Sequence, residues 1–464
     1  MIENRTYDEI AVGDRASIVR TARVDDFVLF AHASGNVNPL HLPRQDINHD
    51  HAEDKIIAPS MWVASLVSGV IGTKLPGPGT LYLGHELVFS DNRVHPGDTL
   101  TVTVEVTDKL SDGRIRLISQ IARPDGSLVA TGIELIQSPP EKISLPDIQI
   151  PDVQIETHTV FDRYIAAACT VPALDTAVVC PEDASSLEGA MKAREHGLLN
   201  PVFVGSAKRI GAMAASLGID ISAIELVDID DDAAAAARAV EMVHEGRVRA
   251  VMKGHLHSDV LLSQVVKKSG GLRTNRRISH VFIMDMPGRN VPLLISDAAI
   301  NIAPDLETKV DIVQNAIDVG RSLGLPQPRV GVLSAVETVN PAIPSTIDAA
   351  VLSKMAERGQ IRGGIVDGPL AMDNAVDMQA AKTKGITSLV AGQAEVLIVP
   401  NLEAGNMLAK ELTFLANANA AGIVVGARVP VILTSRADNA LAKLASCAIA
   451  RLYQYWQETG KSLV

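Results

Sequence analysis

Gln137-Ser-Pro-Pro-Glu-Lys-Ile-Ser-Leu-Pro-Asp-Ile-Gln-Ile-Pro-Asp152 decides how this chain is divided. Four prolines, Pro139, Pro140, Pro146 and Pro151, fall in it without a helical period. Proline fixes φ and removes a backbone donor, so the stretch reads as a semi-extended linker. It parts the 464 residues into a first part, 1–137, and a second, 159–464, with 138–158 between them. Both parts have the size of ordinary domains.

Upstream of the linker the pattern is α+β. Residues before 55 read as irregular, with one helix around Val24 to Ala33. An apolar helix follows from about Ser60 to Gly72. Beyond the turn Leu75-Pro-Gly-Pro-Gly79 come strands at Leu81–Phe89, Thr99–Leu110, Ile115–Arg123 and Ser127–Ile136. Thr101-Val-Thr-Val-Glu-Val106 alternates strictly, as a half-buried antiparallel strand does. One apolar helix followed by long antiparallel strands fits a sheet curled around that helix. Ile56 to Thr73 lacks any formal charge over 18 residues, but its serines, its glycines and Pro59 favour a helix buried on most sides over a membrane span.

Downstream, strand and helix alternate, which predicts a doubly wound sheet. Ala177–Cys180, Val202–Gly205, Ile224–Ile229, Ala250–Lys253, Val330–Leu333, Gly364–Val366, Val396–Val399 and Val429–Leu433 are the strand signals. Two successive β signals, Val281–Asp285 and Pro292–Ser296, interrupt the plan and suggest a hairpin and two lobes.

Composition limits the partners. Hydrophobic residues make up 47% and charged ones 21%, with a net charge of −12. Full cores are possible, whereas broad nucleic-acid or anionic-membrane binding, which needs clustered cations, is disfavoured. Cys169, Cys180 and Cys447 are too few for a disulfide framework and have no metal-ligand spacing, and the first residues carry no signal-peptide pattern. The expectation is a cytoplasmic protein with no metal.

Ser34-Gly-Asn-Val-Asn-Pro-Leu-His41 joins turn formers to a histidine ahead of the apolar helix. With Met61, Leu75-Pro-Gly-Pro-Gly-Thr80, Leu81-Tyr-Leu-Gly84, Phe89 and Pro96-Gly-Asp98, it resembles the MaoC-like (R)-specific enoyl-CoA hydratases of the hotdog fold over about residues 10–136. The resemblance implies an Asp and a His five residues apart acting on one water, with helix-terminal N–H groups polarising a thioester carbonyl. Here the His is His41, but the Asp position is Asn36, whose amide is no proton acceptor. The family's His-Gly is Pro59-Ser60, and the acidic residue two after the His is Pro43. The readings are a non-catalytic module for acyl-CoA capture and dimerisation, or a hydratase whose base has moved to Asp46, His32 or His49.

Four segments of the second part follow strand signals: Val251-Met-Lys-Gly-His-Leu-His-Ser258, Asp367-Gly-Pro-Leu-Ala-Met-Asp-Asn374, Pro400-Asn-Leu-Glu-Ala-Gly-Asn406 and Leu433-Thr-Ser-Arg-Ala-Asp438. Each offers a strand-to-helix turn whose backbone N–H groups can hold an anion without many cations. No Walker A loop is present. Together the segments resemble the phosphate acetyltransferase/phosphate butyryltransferase family over about residues 160–460, and the domain pair resembles the bifunctional enoyl-CoA hydratase/phosphate acetyltransferases.

The resemblance implies an isocitrate/isopropylmalate dehydrogenase-like two-lobed fold and attack of phosphate on an acyl-CoA. CoA thioester and phosphate are then the substrates, with no tightly bound cofactor and a homodimer or larger assembly. It implies that Ser435 orients the sulfur, Arg436 holds phosphate or the carbonyl oxygen, and Lys253 adds charge. Asn374, Asn401 and Asn406, with Gly254, Ser258, Asp367 and, in the hotdog part, Ser60, are implied in substrate contacts. The acetyltransferase base position, seven after the Ser, is Ala442; Asp438 reads equally as a substitute base or a helix N-cap. His255 and His257 read as hydrogen-bonding rather than metal-ligating residues. Arg273-Thr-Asn-Arg-Arg277 reads equally as a CoA-phosphate contact or a solvated turn, and Asp373 as a helix cap. A metal-dependent decarboxylating dehydrogenase shares the architecture but needs clustered Asp ligands and a Tyr–Lys pair, and tyrosine is scarce here.

Overall fold

The computed structural model describes residues 1–43, 56–90, 93–146, 153, 158–433 and 439–464. They divide into two compact units, Met1–Ile155 and Glu156–Val464.

In the first unit, five antiparallel strands lie in the order Arg15–Thr21, Thr99–Lys109, Arg114–Ala122, Leu128–Gln137, Leu81–Phe89. The alternation read at 101–106 sets one face: Leu100, Val102, Val104 and Val106 are buried, and the residues between them are not. Leu117 and Ile121 extend that face across the neighbouring strand. Trp62, Val63, Val67, Val70 and Ile71 of the helix Ser60–Thr73 pack onto it. This is the sheet curled around a helix.

Two expectations need correcting. The helix is not buried on most sides, because Met61, Ser65, Ser68 and Gly72 form an exposed stripe. At 14 residues it is about 21 Å long, short of the ~30 Å of a bilayer core. Arg15–Thr21, read as irregular, is an edge strand. Its outward Arg15, Ser17 and Val19 are exposed and its inward Ala16 and Ile18 only half-buried, so the alternation is faint.

The first half of the proline-rich stretch is no free tether. Ser144–Leu145 pairs with Ile2–Glu3, and Asn4 donates to the Glu141 carbonyl and accepts from Ile143 N–H, both at 2.8 Å.

The second unit is built on one sheet of eleven strands. Their order is Leu226–Asp228, Leu199–Gly205, Leu174–Val179, Ala250–Lys253, Val431–Ile432, Asn419–Val425, Ser279–Asp285, Leu293–Ser296, Val396–Ile398, Arg329–Leu333, Ile365–Leu370. The first five are parallel to one another, as are the last four. Between them the chain direction reverses three times, at Val431–Ile432/Asn419–Val425, Asn419–Val425/Ser279–Asp285 and the hairpin Ser279–Asp285/Leu293–Ser296. The sheet is therefore mixed, with two parallel blocks running in opposite senses.

Helices cover both faces. Leu306–Ser322 and Ala440–Thr459 lie in the largest core, and Asp232–His244 and Ser258–Val265 in another. Among the described residues, no helix is long and apolar enough to cross a membrane.

Candidate active sites

In the first parallel block the chain forms Leu174–Val179, steps outward to Leu199–Gly205 and Leu226–Asp228, then returns to lay Ala250–Lys253 on the other side of Leu174–Val179. The helices that follow those two central strands pack into different cores, Ala184–Glu195 in one and Ser258–Val265 in another, so the strand ends form a switch point of the kind where such sheets bind ligands. Cys180–Asp183 and Gly254–His257 form its two walls.

The walls are locked by backbone contact. Gly254 N–H donates to Val179 O at 2.8 Å, and His255 N–H to Cys180 O at 2.6 Å. A Cβ on Gly254 would stand 2.3 Å from Cys180 O and 2.4 Å from Val179 O, so only glycine fits. Lys253 is buried, and its Nζ donates to the carbonyls of Gly254 and Leu256 at 3.2 Å each. Met252 pairs with Ile432, so Lys253 and Leu433 end neighbouring strands side by side. Ser435, Arg436 and Asp438 follow directly in sequence and lie outside the described residues.

The helix Ala440–Thr459 after them is capped by Asn439, whose Oδ1 accepts from Ala442 N–H at 2.8 Å. The cap is thus Asn439, not Asp438. Ser258 is the exposed first residue of Ser258–Val265.

His255 Nδ1 lies 2.8 Å from Asp183 Oδ2. Asp183 caps Ala184–Glu195, with Oδ1 accepting from Ser186 N–H at 2.7 Å and Ser186 Oγ–H at 2.6 Å. Burial opposes ionisation of Asp183, yet the hydrogen bonds from Ser186 and His255 outweigh it and hold the carboxyl below its usual range. Burial, reinforced by Asp232 and Glu182, pushes the Cys180 thiol up to about 12, away from the thiolate that a nucleophile needs.

The asparagine segments belong to the second block, whose strands end on the opposite edge of the sheet. Asp367, in Ile365–Leu370, accepts from Gly368 N–H at 2.8 Å and from the Ser388 hydroxyl. Asn374 is wholly buried; its Nδ2 donates to Glu337 at 3.3 Å, and its Oδ1 has no partner among the described residues. Asp373 does not cap its helix but pairs with Lys384 at 3.0 Å. Asn401 caps Leu402–Leu415 through Ala404 N–H at 2.9 Å, and Asn406 Nδ2 donates to Ala298 O at 3.3 Å. In the Arg273–Arg277 turn, Thr274 Oγ1 donates to Gly426 O at 2.6 Å and Arg276 pairs with Asp318, while Arg273 and Arg277 are exposed.

In the first unit, His41 Nδ1 lies 2.7 Å from Ile57 O. A carbonyl can only accept, so Nδ1 carries a proton and Nε2 is the ring nitrogen left over. His95 holds Ile56 O at 2.8 Å in the same way. Asn36 Oδ1 accepts from Asn38 N–H at 3.3 Å, and Asn38 Oδ1 accepts from Leu40 N–H at 3.1 Å. Asn36 is therefore used by its own turn. Ser60 starts the helix behind Pro59, and Trp62 and Val63 N–H turn back to Pro59 O at 2.9 and 3.1 Å. Asp46 and His49 lie outside the described residues, and His32 is exposed in the last turn of Val24–Ser34.

Residues 232–451 match the phosphate acetyl/butaryl transferase family. A phosphate acetyltransferase of Rhizobium meliloti is 57% identical over 293 residues, 63% of this chain and 93% of that protein. The chain belongs to the phosphate acetyl/butyryltransferase family. Two further relatives are less similar. A phosphate butyryltransferase of Clostridium acetobutylicum is 41% identical over 276 residues, 60% of this chain and 92% of that protein. The crystal structure of a branched-chain phosphotransacylase from Enterococcus faecalis V583 is 29% identical, covers 61% of this chain and 99% of that one, and has a TM-score of 0.53. Residues 10–123 match the MaoC like domain, so this transferase carries a MaoC-like domain ahead of its family core.

Asp183 gave no signal in the sequence of this family member. The Pro-Glu-Asp after Cys180 looks like any helix start, and only the return of Ala250–Lys253 beside Leu174–Val179 brings His255 to it. Among the described residues, no group of three His, Cys, Asp or Glu side chains could hold a metal ion.

Proposed function

We propose that the chain moves the acyl group of a short-chain acyl-CoA to inorganic phosphate, giving acyl phosphate and CoA. The observation that carries this is the 57% identity to a phosphate acetyltransferase over nearly all of that relative. A phosphate oxygen attacks the thioester carbonyl carbon, the C–S bond breaks, and both the carbonyl oxygen and the sulfur carry transient charge. Arg436 holds phosphate or the carbonyl oxygen, because a planar guanidinium offers two parallel donors to an oxyanion. Ser435 orients the sulfur, Lys253 supplies fixed charge at the strand end, and Asp438 is the carboxylate next to them in sequence. Gly254 and Ser258 line the same turn.

Asn374, Asn401, Asn406 and Asp367 are substrate contacts by resemblance. Of the three amides, Asn374 is the one whose buried oxygen has no partner among the described residues. The two parallel blocks correspond to the lobes of an isocitrate/isopropylmalate dehydrogenase-like fold. The functional division is 1–137, 138–158 and 159–464, in a cytoplasmic homodimer or larger assembly that keeps no tightly bound cofactor.

The hotdog unit serves as an acyl-CoA-binding or dimerisation module. This reading is supported by Asn36, whose amide stands in the carboxylate position and is spent on a turn. The alternative is a hydratase acting through a relocated base, with His41 and the N-terminal turn at Ser60 retained.

Phosphate-dependent thiol release from acyl-CoAs of two to eight carbons tests the transferase. Arg436→Gln is expected to cost about 2–4 kcal/mol of transition-state stabilisation, roughly 30- to 1000-fold in kcat/KM. No release from any chain length removes the assignment, and an unchanged Arg436→Gln rate removes Arg436 from the site.

A further inference from the structure

We propose that the outward face of the helix Leu402–Leu415 is where a second copy of this chain docks, across a two-fold axis that runs along the helix. The inference names a surface for the assembly put forward above and does not depend on the acyl transfer.

The helix divides its residues sharply. Gly405 and Ala409 are buried, and Ala404, Leu408 and Leu412 pack against the neighbouring core. On the other side Met407 is 65% exposed and Phe414 72%. The chain has seven phenylalanines, and the other six lie in or against a core. Phe414 is thus the one whose ring the fold leaves in water. Met407 and Phe414 are two turns apart, so they stand on one line, about 10.5 Å from each other along the axis. Lys410 and Glu411 fall between them, each turned about 50° from that line, on opposite sides. Both are exposed, and neither has an ion-pair partner among the described residues. Methionine and phenylalanine are enriched at the centres of protein interfaces, whereas a solvated helix face is polar.

The charges decide the partner and its orientation. In an antiparallel packing of two copies the two-fold axis crosses the helix and each flank meets its own kind. Lys410 then faces the partner's Lys410, and Glu411 the partner's Glu411. With the two-fold axis along the helix the flanks exchange. Each Lys410 then faces the partner's Glu411, so two ion pairs close over the contact, while Phe414 meets the partner's Phe414 and Met407 the partner's Met407. The face is self-complementary in this orientation, as an isologous contact requires. A helix of 14 residues is about 21 Å long and covers less than the roughly 800 Å² per partner of a standard interface. Apolar side chains extend it at both ends. Ile302, whose carbonyl accepts Leu402 N–H, and Leu415 are both exposed.

The test measures the mass of the full chain against concentration by sedimentation, for wild type, Phe414→Glu, Lys410→Glu, Glu411→Lys and the double variant Lys410→Glu/Glu411→Lys. Wild type is expected to associate. Phe414→Glu is expected to weaken the contact at least roughly 30-fold, the scale of one interface hot spot, with an unchanged melting temperature because the ring packs in no core. Each single charge reversal is expected to weaken it, and the double variant to restore it, which loss of an isolated surface charge would not do. A second measurement does not rely on those variants. In a Cys169→Ser background, Phe414→Cys is expected to give a covalent dimer on oxidation, and Cys169→Ser alone is not. An associated wild type whose Phe414 and charge variants associate equally, with no cross-link through position 414, overturns the inference and leaves the assembly to another surface. A monomeric wild type overturns both the assembly and this inference, and thiol release still tests the transferase separately.

Discussion

At Asn36 the resemblance to the hydratases implies a carboxylate, and an amide stands in its place. The amide oxygen accepts Asn38 N–H and so builds the turn that leads to His41. A carboxylate oxygen accepts the same bond, so Asn36→Asp keeps the turn while adding a base. With His41 already holding its proton on Nδ1, the variant is expected to consume crotonyl-CoA at least roughly 100-fold faster than wild type, the scale of one general base. The loss of crotonyl-CoA absorbance measures it, and equal rates show that Pro59-Ser60 blocks the chemistry as well.

A second residue of this unit responds to pH. Glu134 sits wholly buried, takes the Ser119 hydroxyl at 2.6 Å, and its Oε2 has no partner among the described residues. Burial raises its pKa above the ordinary 4.5. The unfolded chain releases this proton first, so stability is full below about 4.5 and falls as pH rises through the raised value. Glu134→Gln keeps a partner for Ser119 and cannot ionise. Its melting temperature is expected to match wild type near pH 4.5 and exceed it near pH 8, and the reverse order rules out a buried acid.

Among the elements, the loop after Ala250–Lys253 carries the tightest constraint. Any side chain at Gly254 meets two backbone carbonyls, which cannot swing aside as a side chain can. Gly254→Ala is expected to push Lys253 and His255 off their places, destabilising the unit by about 1–3 kcal/mol and cutting thiol release at least tenfold. A variant with wild-type melting and rate shows that the turn has slack.

The strand-to-helix alternation was legible here because parallel strands buried on both faces leave unbroken apolar runs such as Ala250-Val-Met. Asn419–Val425 escaped notice because it begins Asn-Ala-Ala-Gly, a poor strand sequence. Its glycine, Gly422, makes room for the buried ring of His280, which a Cβ would approach to 2.6 Å. The reversal of sense between the two blocks was likewise hidden. It depends on which strands pair, and no residue in Asp367–Asn374 or Pro400–Asn406 states that. The motifs could be found by sequence, but not the edge of the sheet they occupy.

For the whole molecule, the two units have separate evolutionary and physical accounts. The Rhizobium meliloti relative is matched over 93% of its length, and the 7% left over is far shorter than residues 1–155. A protein of that size is complete as a phosphate acetyltransferase without a hotdog unit, and its match requires most of Glu156–Val464. Among the described residues, the largest core of the second unit is drawn from residues 160 to 453. The physical requirement for a fold, a closed apolar core, is thus met inside 156–464, which also holds Lys253, Gly254, Ser435 and Arg436. A chain consisting of residues 156–464 is therefore expected to fold and to retain kcat/KM for acyl-CoA and phosphate within about threefold of the full chain, well under the tenfold that one lost contact of 1.4 kcal/mol produces. Thiol release by the two chains at equal active-site concentration measures this. A soluble, folded 156–464 fragment with less than about a tenth of the parent rate assigns the hotdog unit a direct part in the transfer, and the separation of roles between the units is then wrong.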